Sequence, residues 1–152
     1  MKKRLIQIIS LSFLMSLIFS LTVPAGAAIA PGADAEIQAS NYFVSEKAAI
    51  TAVGNGKIAI EIDVRGTAEM KALGASDVYV YEVQPDGRYT QVAHYTRNSH
   101  PVLIKTNVLR ANIQLTYQGT AGKKYYVEAR CYAKNASGSG TRWVSSNIIT
   151  AT

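Results

Sequence analysis

Residues 125–134 alternate without a break. Tyr125, Val127, Ala129, Cys131 and Ala133 share one parity, and Tyr126, Glu128, Arg130, Tyr132 and Lys134 share the other. Strict period two over this length is the mark of a strand with one buried face. The preceding Gly119-Thr120-Ala121-Gly122 is a tight loop feeding it. A strand apolar on one side needs a second layer to cover that side. The stretch therefore predicts the central strand of a small two-layer β domain.

The rest of the chain supplies partners for it. Ile58, Ile60, Ile62 and Val64 alternate with Lys57, Ala59, Glu61, Asp63 and Arg65, which makes a second core strand. Gly54-Asn55-Gly56 before it is a hairpin turn, since Gly and Asn tolerate positive φ. Asn41 to Val53 has mixed patterning, as in an edge strand that bulges or changes partner partway. Val78, Val80 and Glu82 alternate against Tyr79, Tyr81 and Val83. Pro85-Asp86-Gly87 then turns the chain back into Tyr89 to Thr96. Arg97 to Arg110, with an apolar patch at Val102-Leu103-Ile104, is long enough to cross between two sheets. Ala111 to Tyr117 alternates again, and a final strand runs from about Arg142 to Thr150. In that last strand Val144 and Ile148 have one parity and Trp143 and Ile149 the other, so its register is open.

One segment breaks the β pattern. In Gly66 to Ala75, Met70 and Leu73 are three apart, as on one helical turn, with Thr67 placed to cap its start and Gly74 its end. A short helical turn near Met70–Gly74, plugging one end of the domain, is the expectation. Seven strands with turn signals between them and no long amphipathic helix predict an all-β fold: a seven-stranded immunoglobulin/fibronectin type III-like β-sandwich, with a small β-barrel as the alternative. Tyr125, just after the loop, sits where such sandwiches carry a tyrosine corner, a Tyr whose hydroxyl returns to the upstream backbone.

The N-terminus has the three-part form of a secretory signal. Lys2-Lys3-Arg4 is followed by an apolar run from Leu5 to Val23, and Ala25-Gly26-Ala27 satisfies the small-x-small rule for cleavage. This predicts a signal peptide over 1–27, a flexible Ala/Gly/Pro/Asp linker over 28–40, and one β domain over 41–152. After cleavage the chain is expected to be secreted, with no membrane association. The formal charge is +6, from 16 Lys and Arg against 10 Asp and Glu. Without the three leader cations the balance is 13 to 10, too small and too scattered to point to nucleic acid. One cysteine allows no internal disulfide, although export would permit one.

Several short segments stand in this order along the chain: Gly54-Asn55-Gly56-Lys57-Ile58, Val64-Arg65-Gly66-Thr67, Met70-Lys71-Ala72-Leu73-Gly74-Ala75, and Gly119-Thr120-Ala121-Gly122-Lys123 with Tyr125 two further on. Together, from about Asn41 to Thr152, they resemble a family of small secreted proteins of Gram-positive bacteria of unknown function. The resemblance implies a leader followed by a single small β domain. It implies no activity, cofactor or catalytic residue.

The residues that could carry chemistry do not assemble in the sequence. His94 and His100 have no Cys or His at ligand spacing, so they read as ordinary surface residues and no metal or other cofactor is expected. Cys131 has the inward parity of Tyr125 and Val127 and reads as a small core residue. Glu61 and Asp63 project from the same face of one strand among Lys57 and Arg65, a solvated face rather than a catalytic pair across a cleft. Asn135-Ala136-Ser137 matches a glycosylation triplet but sits in a Gly/Ser loop. A non-enzyme is therefore the expectation.

What stands out is tyrosine, nine of them. With Val78, Val80 and Tyr125 inward, Tyr79, Tyr81, Tyr126 and Tyr132 face outward on neighbouring strands, and Tyr95 and Trp143 flank them if the register allows. Such a face suits stacking on sugar rings or burial against a partner. The plain alternative is that Tyr is simply a good strand former. The expected function is a secreted, non-catalytic module that binds a cell-envelope glycan, a protein or a second copy through this face; the alternative is a structural protein that self-assembles without a small ligand.

Overall fold

A computed structural model describes residues 41–152. The expected signal peptide over 1–27 and the expected linker over 28–40 lie outside the described residues.

The strands are β1 (Phe43–Gly54), β2 (Lys57–Met70), β3 (Ala72–Val83), β4 (Tyr89–Thr96), β5 (Ile104–Lys105), β6 (Val108–Gln118), β7 (Lys124–Lys134), β8 (Ser139–Ser145) and β9 (Ile149–Thr150). They form two antiparallel sheets, ordered β1-β2-β6 and β4-β3-β7-β8, with β5 added beside β3 and β9 beside β7. This is a sandwich and not a closed barrel. The strand order is that of the fibronectin type III-like arrangement, because the chain changes sheet after β2, after β4 and after β6.

Each sheet contributes one apolar face to the core. Ile58, Ile60, Ile62 and Val64 of β2 are buried, and so are Val78 and Val80 of β3 and Tyr125, Val127, Ala129, Cys131 and Ala133 of β7. The four β2 side chains alone bury apolar surface worth about 6–12 kcal/mol before the entropy of ordering them is counted. The β1–β2 hairpin turns through Asn55 and Gly56 at φ 52° and 75°, the positive-φ pair its two-residue loop requires.

Tyr125 forms the expected corner. Its ring is buried, and its hydroxyl accepts a 2.8 Å hydrogen bond from the backbone N–H of Thr120. The chain closes tightly around it. A Cβ on Gly119 would lie 2.8 Å from the ring, so only glycine fits there without a shift.

The helical turn expected near Met70–Gly74 is absent. Those residues are strand: β2 runs through Met70 and β3 starts at Ala72, with a bend at Lys71. Met70 and Leu73 are both fully buried. Their spacing of three arises because the chain steps from one sheet to the other at Lys71, which resets the alternation. Gly74 is not a helix cap either. It lies in β3 at φ 151°, where a Cβ would overlap the carbonyl oxygen of Leu103 on the strap that crosses it. The short helical element is in that strap, a 3-10 turn at Pro101–Leu103 that buries Leu103. The Arg97–Arg110 connection does cross between the sheets, from β4 to β6.

The last strand is in two pieces. β8 pairs with the C-terminal half of β7 and β9 with its start, separated by Ser146-Asn147-Ile148. The break resets the alternation, so Val144 and Ile149 both pack on the core while Trp143 and Ile148 are exposed.

Candidate functional site

The outer face of the β4-β3-β7-β8 sheet is aromatic. Tyr79 and Tyr81 project from β3, Tyr126 from β7, and Trp143 from β8. Two β4 side chains join them, because the β3–β4 register shifts between Val80 and Tyr81 and leaves Val92 as a bulge. Above the bulge His94 pairs with Tyr79, and below it Tyr89 pairs with Val83. Tyr95 is on the opposite face from these, packed on the core with His100 edge-on at 4.8 Å. It does not flank the aromatic face.

The six rings form one connected surface. His94 stacks nearly parallel on Tyr79, with centroids 4.2 Å apart and planes at 10°. Tyr79 lies 5.9 Å from Trp143 and 6.4 Å from Tyr81. Tyr81 in turn meets Tyr126 at 6.2 Å and Tyr89 at 6.4 Å, and Tyr89 meets Tyr126 at 5.4 Å. These spacings are those of favourable aromatic pairs. Tyr81 is so hemmed in that only 8% of it is exposed, whereas Trp143 is 44% exposed. Tyr81 is thus the centre of the face and Trp143 its raised rim.

Tyr132 is on the same face but not in the cluster. It pairs with Gly74, at the other end of the sheet from the Tyr81–Tyr126 pair. Six residues of strand separate it from Tyr126, about 20 Å. Its ring lies under the Arg97 guanidinium, 5.2 Å from centroid to carbon.

One carboxyl is embedded among the rings. Glu128 pairs with Tyr79 across the β3–β7 ladder and is 6% exposed. The Tyr126 hydroxyl donates to its Oε1 at 3.0 Å. Burial pushes the Glu128 carboxyl above its ordinary range, and the bond from Tyr126 opposes that rise only in part. Burial also pushes the Tyr126 phenol up to about 12, and raises Tyr79 and Tyr81. At neutral pH the tyrosine hydroxyls are therefore protonated and able to donate.

The remaining candidates have structural roles. Asp63 is ion-paired with Arg110, and Glu61 accepts a 2.6 Å bond from Asn112, so both tie β2 to β6. The guanidinium holds the Asp63 carboxyl below its usual range. Cys131 is fully buried, and burial pushes its thiol up to about 12. That environment suppresses the thiolate. His94 makes a 3.1 Å contact with Asp77, and His100 one of 3.0 Å with Ser99. Among the described residues no three His, Cys, Asp or Glu side chains converge as a metal site would require. The Asn135 side chain accepts from the N–H groups of Ser137 and Gly138 and so shapes its own loop.

Tyr89 and His94 are the members that sequence parity missed. Tyr89 and Tyr95 have the same parity but opposite faces, and only the bulge at Val92 makes that so. No protein-family model matches this chain, and no curated protein matches it either.

Proposed function

We propose that the chain is a secreted, non-catalytic binding module that holds a glycan of the cell envelope or surroundings against its aromatic sheet face. The observation that carries this reading is an asymmetry between the two sheets. If tyrosine were present only as a strand former, it would be spread over both outer faces. Instead Tyr79, Tyr81, Tyr89, Tyr126 and Tyr132, together with Trp143, all lie on one outer face. The outer face of β1-β2-β6 is built from residues such as Lys47, Lys57, Glu61, Asp63, Arg110 and Asn112, with no aromatic ring. Planar rings backed by hydroxyl donors and one carboxyl match the two faces of a sugar: apolar C–H surface to stack, and hydroxyls around the edge to bond.

Retention on insoluble peptidoglycan and cellulose is the test. The mature chain is expected to be retained on at least one of them, and Tyr79→Ala with Trp143→Ala to release it while urea unfolding stays cooperative. Retention that survives both substitutions contradicts the reading. Concentration-dependent oligomers in sedimentation, lost with the same substitutions, would instead make a second copy of the chain the occupant of the face.

A further inference from the structure

We infer that the glycan held on this face is acidic: its rings lie on Tyr79 and Trp143, and its carboxylate enters a depression between Arg97 and Arg130. The inference rests on the reading of the aromatic face as a glycan platform and names the ligand class. The depression, about 340 Å³, is lined by Asp77, Arg97, Arg130 and Tyr132, and it meets the ring surface through Asp77, which contacts His94, and through Arg130. Arg130 is the cross-strand partner of Trp143, and Glu128, two residues before it, is the partner of Tyr79. Arg130 is also close enough to Tyr79 to oppose the rise that burial produces in its phenol.

A second sequence-silent bulge builds the position. The β3–β7 register shifts between Ala75 and Asp77, so that Ala75 faces the core opposite Cys131 while Asp77 faces outward opposite Arg130. The bulged Ser76 donates its hydroxyl to the Arg130 carbonyl at 3.2 Å and also lines the depression.

Neither of the two arginines is tied up in an ion pair. Arg88, Arg110 and Arg142 each make an ion pair. Among the described residues Arg65, Arg97 and Arg130 make none; Arg65 is on the outer face of the other sheet, whereas Arg97 and Arg130 line one depression together with Asp77. The Asp77 carboxylate is engaged by His94. The Arg97 guanidinium carbon lies over the Tyr132 ring, 5.2 Å from its centroid, a cation–π contact that uses none of the N–H donors a carboxylate would take. Asn98 and Thr141 complete the wall with neutral partners suited to sugar hydroxyls. Tyr132 thus has a role distinct from that of the other outward tyrosines: it positions the cation.

Affinity electrophoresis tests this on the mature chain with three polymers: polygalacturonate, the same polymer fully methyl-esterified, and polyglutamate, which has the charge without the sugar. Polygalacturonate is expected to retard the chain at concentrations at least tenfold lower than either of the others. Arg97→Gln with Arg130→Gln is expected to abolish the preference for the acid over its ester, and Arg97→Lys with Arg130→Lys to keep part of it, with unchanged urea midpoints. Equal retardation by acid and ester, or a preference that survives the glutamine variant, overturns the acidic assignment while leaving the aromatic platform standing. Equal retardation by polyglutamate, or none by any polymer, also overturns it. Retardation by polygalacturonate that survives Tyr79→Ala with Trp143→Ala contradicts the platform itself.

Discussion

Three residues on β7 show how the environment, more than identity, assigns a role. Tyr125 is structural: its hydroxyl takes the Thr120 N–H at 2.8 Å in a buried setting. Tyr125→Phe leaves that donor unpaired and is expected to cost about 1–3 kcal/mol, read as a lower urea midpoint with an unchanged slope. A midpoint equal to that of the parent would mean that the corner contributes nothing. Glu128, three residues on, is held among the rings with its carboxyl above the ordinary 4.5. Such a group keeps its proton longer in the folded chain than in the unfolded one. The native state then binds more protons in the window just above 4.5, and stability falls as the pH rises through it. Glu128→Gln keeps an acceptor for Tyr126 and removes this loss. The variant is expected to melt higher than the parent at neutral pH, and its advantage to disappear below pH 4.5; a variant that melts lower at neutral pH would contradict this. Cys131, raised to about 12 and fully buried, is expected to resist a thiol reagent until the domain unfolds.

At the scale of strands, what sequence shows and what it hides divide cleanly. Ile58 to Val64 and Tyr125 to Ala133 are legible because their alternation is unbroken and a one-residue slip would invert a whole face. The bend at Lys71 and the bulges at Ser76 and Val92 each displace the alternation by one residue, and nothing in local composition announces them. The bend made Met70 and Leu73 resemble a helical turn. The bulge at Val92 brought Tyr89 onto the face with His94, away from Tyr95. Parity puts Tyr132 on the correct face, but position along a strand depends on pairing, and pairing places it far from the Tyr81–Tyr126 pair. Gly74 tests the strap over β3. Gly74→Ala sets a Cβ against the Leu103 carbonyl at a φ of 151° and is expected to destabilise by about 1–3 kcal/mol. The same substitution at Gly87, at the β3–β4 turn with nothing within 4 Å, should cost less, and equal costs would show that the strap yields freely.

For the molecule as a whole, the sandwich divides labour between its two outer faces. One is charged and cross-linked by pairs such as Asp63–Arg110; the other is a sheet of rings ending in an arginine-lined depression. The chain's single tryptophan, Trp143, stands at the rim of that ring surface and is 44% exposed, so its emission reports directly on what covers it. The most direct test is a fluorescence titration of the chain with soluble oligosaccharides, acidic and neutral. A saturable change in Trp143 emission is expected with at least one of them, at least tenfold weaker in Tyr79→Ala. Emission that stays constant while the same sugar is shown by calorimetry to bind would place the binding surface elsewhere and contradict the account.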